Sequence, residues 1–420
     1  MITPDIVLEA SGLAGRARTR AGDESDTIDG VRPRVVVDPD SRESLAALLA
    51  WASRERLAVV LRGSGTKLAW GCRPTAVDLL VGTRRLNRVI AHQHGDLTAT
   101  MEAGVTMGEL NRELARHGQW LPVDVSFEEA TVGGTLAAND SGALRHRHGT
   151  PRDLLIGVRL ATTDGRVVKA GGNVVKNVAG YDLGRLMCGS FGSLAAIVEA
   201  TFKLAPLPAS SATVLAGFRE ADAMARAVAA IASSQLEPVA FEVQATIGDA
   251  YHVLVRFASM PEAVEAQTDE ARRLLAADRI DIVTDAAEAD AWRRHRDAVW
   301  TAPGAAVKVS WLPASLVSVV ALLQDVLRLG TTAVSLAGRA SVGAGVVRVD
   351  ADRATQAKAI DLLRARPDVV GNVVVLRADA EVKEQTSVWG ASGDVERLWR
   401  ALKVAFDPAG ILNAGRGPVV

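Results

Sequence analysis

Two glycine-rich segments dominate this sequence: Arg62-Gly-Ser-Gly-Thr-Lys-Leu68 and Thr131-Val-Gly-Gly-Thr-Leu-Ala-Ala-Asn-Asp-Ser-Gly142. The first follows a predicted buried strand, Leu57–Leu61. Its closely spaced glycines let backbone N–H groups turn toward one anion, and Arg62 and Lys67 are expected to add positive charge. The spacing fits neither the Walker A pattern nor the GxGxxG dinucleotide pattern. Taken alone, the segment predicts either an anion-binding loop or a simple turn at a strand end.

The second segment is rich in small residues, which indicates that another molecule lies against its backbone. It is followed by Arg145-His-Arg-His-Gly149, in which two histidines stand two residues apart. No further metal-ligating side chain stands nearby in sequence, so no metal site is predicted here. A third segment, Gly171–Gly192, is again rich in glycine and carries polar side chains that are atypical of a core.

Composition restricts the function classes. A chain of 420 residues is long enough for two domains. Its formal net charge of −1 indicates no general attraction to nucleic acid or anionic lipid. The two cysteines, Cys72 and Cys188, fit no iron–sulfur or zinc pattern and are expected to be reduced thiols. Neither a signal peptide nor an apolar run of membrane-spanning length is apparent, so a cytoplasmic location without a membrane span is predicted.

Local signals give the order of elements. Residues 1–32 show no clear period and are interpreted as a loosely packed lead-in. Asp40 is predicted to cap a helix together with Glu43, and Thr106 and Glu109 form a second capping box. Two prolines, at positions 206 and 208, indicate a domain boundary, after which strands and helices alternate as in an α/β domain.

In their order and spacing, the three segments resemble the FAD-binding domain of the vanillyl-alcohol-oxidase-type (PCMH-type) flavoproteins. The closing stretch Phe406-Asp-Pro-Ala-Gly-Ile-Leu-Asn-Ala-Gly-Arg416 supports the resemblance. It implies an α+β fold with a PCMH-type FAD-binding domain over residues 1–209, an α/β cap or substrate domain over residues 210–385, and a C-terminal segment, residues 386–420, that returns to the flavin. Within this family the sequence is most similar to the D-2-hydroxy-acid dehydrogenases and to the GlcE-type subunit of bacterial glycolate oxidase. That narrower likeness rests on Gly172-Asn-Val-Val-Lys-Asn-Val-Ala-Gly-Tyr-Asp182 and Ser387-Val-Trp-Gly-Ala-Ser392.

The resemblance implies FAD as the cofactor and assigns roles to individual positions. Members with covalently attached flavin carry a histidine in the first loop, where this chain has Gly65-Thr-Lys67, so noncovalent FAD is predicted. The expected FAD contacts are Arg62, Gly63, Ser64, Gly65, Thr66, Lys67 and Leu68 around the pyrophosphate, Thr131, Gly133, Gly134, Asn139, Ser141 and Gly142 at pyrophosphate, ribose and flavin, Ile197 and Val198 on the adenine side, and Asn413 near the isoalloxazine.

The sequence departs from the resemblance in its second half. Catalytic relatives carry a histidine-rich metal cluster in the cap domain, whereas from Tyr251 onward this chain has only His252 and His295. No bound metal is therefore predicted, and no general base is identified. Lys308 and Arg339 are candidate cations for a substrate carboxylate, although each is also typical of a solvated surface charge.

Three hypotheses follow from these observations. The first is an FAD-binding subunit of a glycolate oxidase-like complex that oxidises a small 2-hydroxy acid to a 2-oxo acid. Its partners would be a second FAD-binding subunit and an iron–sulfur subunit, and they would hold it peripherally at the inner face of the membrane. The second is a self-sufficient FAD-dependent dehydrogenase of another hydroxy acid or alcohol. The third is a non-catalytic scaffold subunit whose FAD site is vestigial.

Overall fold

The computed structural model describes residues 3–14, 18–173, 180–391 and 393–418, with the side chains of the first helix described from Ile6 onward. Part of the third glycine-rich segment, residues 174–179, and Ser392 lie outside the described residues. The chain forms two compact units. The first unit comprises the residues up to Ser141, Gly149–Leu207 and the segment after Ala391, and the second comprises Gly142–His148 and Pro208–Ala391.

The described strands, in chain order, are β1 (Thr19–Ala21), β2 (Val35–Val37), β3 (Val59–Arg62), β4 (Leu79–Gly82), β5 (Val89–Gln93), β6 (Thr98–Glu102), β7 (Gln119–Trp120), β8 (Leu155–Ala161), β9 (Val167–Gly171), β10 (Ala196–Lys203), β11 (Ala205–Pro206), β12 (Ser210–Phe218), β13 (Ala240–Thr246), β14 (Ala250–Ser259), β15 (Arg279–Val283), β16 (Ala305–Ser310), β17 (Ala333–Arg339), β18 (Ala344–Asp350) and β19 (Gly371–Arg377).

The described helices are α1 (Thr3–Ala14), α2 (Arg42–Arg54), α3 (Met107–Ala115), α4 (Val132–Ala138), α5 (Arg145–His148), α6 (Pro151–Leu154), α7 (Leu183–Met187), α8 (Ala221–Ala232), α9 (Pro261–Leu275), α10 (Asp285–Trp300), α11 (Leu316–Leu327), α12 (Arg353–Arg364), α13 (Ala380–Gln385) and α14 (Val395–Phe406). Within the described residues, no helix combines the length and the apolar character needed to cross a bilayer.

The first unit contains two main sheets. One has the order β1-β2-β4-β3, with β2, β4 and β3 parallel and β1 antiparallel at the edge. Strands Val35–Val37 and Leu79–Gly82 are buried along their whole length, as expected for parallel strands covered on both faces. The other sheet is antiparallel, with the order β5-β6-β10-β8-β9. One apolar core contains residues of the first sheet, α1 and α2 together with residues of β8 and β10, and a second contains other residues of the antiparallel sheet together with α3, α4 and α7.

The C-terminal segment returns to the first sheet. The N–H of Val59 donates to the carbonyl of Ile411 at 2.8 Å, and the N–H of Asn413 donates to the carbonyl of Val59 at 2.8 Å. Leu412 thereby forms a parallel bridge with Val59, beside β3. Ile411 and Leu412 are buried in the same core as α1 and α2. The last described part of the chain is thus an integral part of the first unit.

The second unit is built on one eight-stranded sheet with the order β15-β12-β14-β13-β17-β18-β16-β19. Its neighbouring strands are antiparallel throughout the described residues. The alternation of strands and helices predicted an α/β domain, but antiparallel pairing makes this unit α+β. The difference arises because alternation along the chain does not fix which strands become neighbours in the sheet.

Three local expectations differ from the structure. Residues 1–32 were expected to be loosely packed, yet Ile6, Ala10 and Ala14 on α1 are buried at helical spacing in the first core. Helix α2 is capped by Ser41, whose hydroxyl accepts from the N–H of Ser44, and not by Asp40. Small alanines give little hydrophobic periodicity, and two adjacent capping side chains cannot be ranked from sequence, which explains both errors. The third difference is that much of the second glycine-rich segment forms α4, a helix that was not predicted from the sequence.

Candidate functional site

The first glycine-rich loop leaves β3 and passes very close to the start of α4. A Cβ atom on Gly63 would lie 2.1 Å from the Thr131 hydroxyl oxygen, so no larger residue fits without a shift of the backbone. Gly65 has a φ of +81°, in the left-handed region that favours glycine. The glycines of this loop are therefore required by close packing and by backbone conformation.

The backbone N–H groups of this loop are available to a ligand. In the part of the chain that the structure describes, the N–H groups of residues 63–67 donate no hydrogen bond to the protein. The first internal bond after them runs from the N–H of Leu68 to the carbonyl of Gly65, at 3.2 Å. Successive unpaired N–H groups around a residue of positive φ form a concave anion-binding site. The loop thus fits a phosphate or pyrophosphate group by its backbone alone.

The two cations of the loop are held by carboxylates. Lys67 Nζ lies 3.1 Å from a carboxylate oxygen of Asp140, and both side chains are almost buried. Arg62 Nη1 lies 2.9 Å from Asp26, which also pairs with Arg20. Hydrogen bonds from the Arg20 guanidinium, from the Asp23 N–H and from Arg62 hold the pKa of Asp26 well below its ordinary value. Arg62 and Lys67 were expected to add positive charge to the loop, and in the structure each of them is paired with a carboxylate.

Helix α4 uses its own first N–H groups within the protein. Thr131 caps it, with its hydroxyl accepting from the N–H of Gly134 at 3.2 Å. The N–H of Val132 donates to Val105 and the N–H of Gly133 donates to Ala103, both at 2.8 Å. The second glycine-rich segment consequently offers small side chains and close approach, whereas the first loop offers hydrogen-bond donors.

The opposite end of α4 meets two other segments. Asn139 ends the helix with a φ of +47°, and its buried side-chain oxygen has no hydrogen-bond partner in the described protein. The N–H of Phe191 donates to the carbonyl of Ala137 at 2.8 Å, and the side-chain amide of Asn413 donates to the carbonyl of Phe191. The side-chain oxygen of Asn413 is likewise buried without a described partner.

These unpartnered oxygens test whether a cofactor fits. A buried acceptor without a donor costs roughly 1–3 kcal/mol, so such groups in a folded protein indicate a missing donor. FAD carries ring N–H and sugar hydroxyl donors as well as a pyrophosphate. The oxygens of Asn139 and Asn413, the free N–H groups of residues 63–67 and the close approach at Gly63 all suit such a molecule. By its own geometry, the site fits FAD.

A small cavity joins these segments. Its volume is about 90 Å³, below the roughly 300–1,000 Å³ of complete small-molecule sites, so it accounts for only part of an FAD molecule. The residues that line it are Val60, Leu61, Arg62, Gly63, Ser64, Gly65, Thr66, Lys67, Leu68, Thr131, Gly134, Ala137, Ala138, Phe191, Asn413 and Arg416. The structure therefore brings the predicted first loop, Thr131, Gly134 and Asn413 together.

Other predicted residues do not line this cavity. Ile197 and Val198 are buried in the cores of the first unit, and the Val198 carbonyl already accepts from the N–H of Ala103 at 3.0 Å. Three further predicted residues lie close in sequence to residues that line the cavity: Gly133, Asn139 and Ser141. Gly142 begins the short segment that belongs to the second unit. Their predicted FAD contacts stay predictions.

Six lining residues were not predicted from the sequence, and two of them, Arg416 and Phe191, have a distinct structural role. Arg416 is 4% exposed, and its guanidinium donates to the carbonyls of Leu68 and Trp70 at 2.7 and 2.6 Å. Burial lowers the pKa of Arg416, the effect expected for a cation removed from water. The other is Phe191, with a φ of +54°. Arg416 is the last residue of the closing stretch quoted above, which is a signal that could have identified it, whereas nothing marks Phe191 beyond the adjacent Gly192.

A larger cavity, of about 630 Å³, lies beside the antiparallel sheet of the first unit and contains none of the glycine-loop residues. Several of its charged side chains form ion pairs with one another. Glu199 contacts Arg42 at 3.1 Å and Arg159 at 3.0 Å, and Glu102 contacts Arg88 at 2.7 Å. Size alone does not make this cavity the cofactor site, since the unpaired N–H groups and orphaned oxygens lie in the smaller one.

The second unit contains both candidates for binding a substrate carboxylate. Arg339 Nε lies 3.2 Å from the buried carboxylate of Glu242, which also contacts His295 at 3.1 Å. The other ring nitrogen of His295 contacts Gln244 at 2.9 Å. Lys308 is an exposed residue of β16. Arg339 is thus charge-compensated inside the unit, whereas Lys308 lies at its surface.

Comparisons with known proteins agree with this site. Residues 33–171 match the family model described as FAD binding domain. The glycolate oxidase subunit GlcD of Bacillus subtilis is 32% identical over 251 residues, which cover 58% of this chain and 53% of that protein. The glycolate oxidase subunit GlcE of Escherichia coli is 33% identical over 202 residues, which cover 48% of this chain and 56% of that protein. The chain thus matches about half the length of these curated relatives.

The fold is also shared with a protein of known structure. The structure of p-cresol methylhydroxylase superposes with a TM-score of 0.77 at 15% sequence identity, covering 99% of this chain and 96% of that chain. At such low identity the likeness shows the fold alone. The matched family model, supported by the relatives named above, identifies residues 33–171 of this chain as part of a PCMH-type FAD-binding domain with FAD as its cofactor.

Proposed function

We propose that this chain is the FAD-binding subunit of a glycolate oxidase-like complex that oxidises a 2-hydroxy acid to a 2-oxo acid. The proposal rests on one observation. The backbone N–H groups of residues 63–67 are available to bind FAD, in a chain that is similar to two different glycolate oxidase subunits. The partners would be a second FAD-binding subunit and an iron–sulfur subunit. A peripheral position at the membrane, through those partners, belongs to the same proposal.

The residues of this chain would bind and orient the cofactor. The N–H groups of residues 63–67 would hold the pyrophosphate, and the side-chain oxygens of Asn139 and Asn413 would accept hydrogen bonds from FAD. Arg416 would keep the loop in shape through the carbonyls of Leu68 and Trp70. When bound, FAD supplies the acceptor for a hydride from the substrate carbon. Since Gly65-Thr-Lys67 offers no histidine for attachment, the cofactor would be noncovalent.

Substrate binding belongs to the second unit in this proposal. A 2-hydroxy acid requires a cation for its carboxylate, and Lys308 and Arg339 stay the candidates. Arg339 shares its charge with Glu242, so an additional carboxylate would have to compete for it. Comparison of Lys308→Met with Arg339→Met tests both candidates, because the variant with the larger rise in KM for the acid identifies the residue that binds the carboxylate.

Electron transfer out of this chain requires a partner. The protein has two cysteines, fewer than the four thiolates that ordinarily hold an iron–sulfur cluster. The test is purification of the chain from its native source under mild conditions. We expect it to co-purify with a second flavoprotein and an iron–sulfur protein, and the mixture to reduce an electron acceptor with glycolate or D-lactate. Rapid oxidation of either acid by the isolated chain would contradict the dependence on partners.

One observation favours a chain that is active by itself. His146, in the segment that follows the second glycine-rich segment, contacts the Ser341 hydroxyl at 2.9 Å through Nδ1, within the second unit. Burial lowers the pKa of His146, against a smaller opposite effect of Glu242, so the ring is neutral at pH 7 and able to accept a proton. If His146 is a general base, His146→Gln should abolish anaerobic flavin reduction by substrate, whereas the exposed-residue control His252→Gln should not. Equal rates in both variants would exclude this role.

A further inference from the structure

Three histidines from separate segments meet on the surface of the first unit. His92 lies on β5, His94 in the short turn after it, and His117 just beyond α3. The ring centroids of His94 and His117 are 3.9 Å apart, and those of His92 and His94 are 4.2 Å apart. One ring nitrogen from each histidine lies within 4.8 Å of the others. None of the three lines the FAD cradle.

A buried glutamine fixes the orientation of this cluster. The side-chain amide of Gln119 donates to the carbonyl of His94 at 2.9 Å, so its carbonyl oxygen faces the other way. That oxygen lies 2.8 Å from Nε2 of His92. Because the oxygen can only accept, Nε2 of His92 carries the proton and Nδ1 keeps its lone pair. A hydrogen bond from the second ring nitrogen to a fixed acceptor is the usual arrangement of a metal-ligating histidine.

The donor set defines the ion. Three neutral imidazoles, with no thiolate among them, suit Zn²⁺ and neighbouring late first-row metals better than Mg²⁺ or Ca²⁺. Zn²⁺ bound to three histidines takes a water as its fourth ligand in a tetrahedral site, with Zn–N distances of about 2.0–2.1 Å. His94 and His117 are exposed, so an ion can enter from solvent and the side chains can rotate slightly to close around it.

We propose that His92, His94 and His117 form a Zn²⁺ site that links the edge strand β5 to the segment after α3. β5 is the outermost strand of the antiparallel sheet, and Val89 and Ile90 on it are exposed. The ion would bind His92 and His94 on one side and His117 on the other, and would thereby hold the edge strand β5 against the segment that precedes β7. The site is additional to the FAD site and shares no residue with it.

The first test measures Zn²⁺ binding directly. The full chain, loaded with FAD and free of any histidine tag, is stripped of metal and titrated with Zn²⁺ against a chromophoric chelator. We expect one tight site per chain in the wild type, and its loss in the double variant His94→Gln/His117→Gln. Both side chains are exposed, so the variant should fold. The control His252→Gln removes an exposed histidine of β14 and should bind Zn²⁺ like the wild type.

The second test addresses Gln119. Replacement by leucine removes the acceptor for His92 while keeping a buried side chain of similar size, and we expect Zn²⁺ affinity to fall about 10- to 100-fold. Zn²⁺ should raise Tm of the wild type but not of the double variant, while the flavin absorbance of both stays unchanged. Absence of a stoichiometric site in the wild type, or equal Zn²⁺ affinity in the wild type and the double variant, would overturn the proposal.

Discussion

Gly63 shows how a single residue determines whether the cofactor loop can close. A Cβ atom at this position would meet the hydroxyl oxygen of Thr131 at 2.1 Å and its methyl carbon at 2.9 Å. Thr131 in turn caps α4. A methyl group at residue 63 would therefore push the loop away from the helix and disturb the row of N–H groups that follows it.

Gly63→Ala is expected to weaken FAD binding at least about tenfold, the equivalent of about 1.4 kcal/mol. The reason is displacement of the loop, since no charge or hydrogen-bonding group is removed. The measurement is the dissociation constant of FAD by flavin fluorescence. Gly12→Ala is the matched control, because a Cβ atom there meets nothing within 4 Å. An unchanged affinity in Gly63→Ala would show that the loop does not need this approach.

Glu109 gives the fold a defined acid sensitivity. Hydrogen bonds from the N–H and hydroxyl of Thr106, followed by one from Arg84, lower the pKa of Glu109 from 4.5 to about 2. Because the pKa of Glu109 is lower in the folded chain than in the unfolded chain, Glu109 contributes to the free energy of unfolding. This contribution is complete above about pH 5 and is lost as the pH falls toward 2. Glu109→Gln keeps an acceptor for the cap but removes the titration, so its unfolding free energy should vary less between pH 6 and pH 3.

Urea unfolding at several pH values, at about half-unit intervals, checks this expectation. Glu113→Gln, on the same helix and outside the capping box, serves as the control. Identical pH dependence in Glu109→Gln and the wild type would contradict the assignment.

At the scale of single residues, the sequence predicted the first glycine-rich loop but not the ion pairs of its two cations. The two glycines and the two cations of the first loop line the cavity, and they could be identified because they follow directly from the local sequence, while their FAD contacts stay predictions. Their pairing with Asp26 and Asp140 involves residues 36 and 73 positions away, respectively, from Arg62 and Lys67. Long-range pairs of this kind depend on the fold, and a single sequence carries no signal for them.

Among the elements, the C-terminal return is held by one buried carboxylate. Asp407 accepts from the N–H of Leu412 at 2.8 Å and from that of Ile411 at 3.2 Å, and it pairs with Lys403 at 2.6 Å. Its side chain has no exposed surface. These bonds shape the turn that directs Asn413 toward the cavity.

Asp407→Asn should therefore destabilise the chain by about 3 kcal/mol, because Lys403 loses its carboxylate in a largely dry site. FAD affinity should fall as well, since the turn positions Asn413. Glu396→Gln is the matched control on the same helix: it breaks the exposed pair with Arg400, and such pairs contribute at most about 1 kcal/mol. Urea unfolding and FAD titration measure both effects. Equal losses of stability and of FAD affinity in the two variants would contradict this role of Asp407.

Elements with strong local chemistry were predictable, and those made by tertiary contacts were not. The capping box of Thr106 and Glu109 is confirmed, and the helix that it opens buries Met107, Leu110 and Leu114. Helix α4 was missed because its two glycines and short length lower its intrinsic propensity, while Thr131 and packing against β10 stabilise it. Similarly, α1 is stabilised by its packing, including a hydrogen bond from Trp51 to Glu9 at 2.6 Å.

For the whole molecule, cofactor binding should be visible as stability. FAD bound only by the folded chain should stabilise it by about 2.7 kcal/mol at 100 times its dissociation constant. FMN lacks the adenylate half and should raise Tm less at the same concentration. Acid or SDS denaturation should release the flavin into solution, as expected for noncovalent FAD. Flavin that stays with the denatured chain would contradict this prediction.

The overall architecture followed from the order of motifs more than from any one of them. Each glycine-rich segment alone allowed a simple turn, but three in series with the closing tail indicated the FAD-binding fold. The antiparallel order of the second unit could not be obtained this way, because strand order depends on long-range pairing.

The return of the C-terminal segment to β3 also determines when, during translation, the first unit can be completed. The first unit needs residues that follow Ala391, and the 184 residues Pro208–Ala391 of the second unit are translated before them. At about 5–20 residues per second, the nascent chain would wait roughly 10–40 s with its first sheet lacking the final bridge at Val59. During that interval Asn413 and Arg416 have not been synthesised. Full capture of FAD therefore has to wait until Asn413 and Arg416 have been translated.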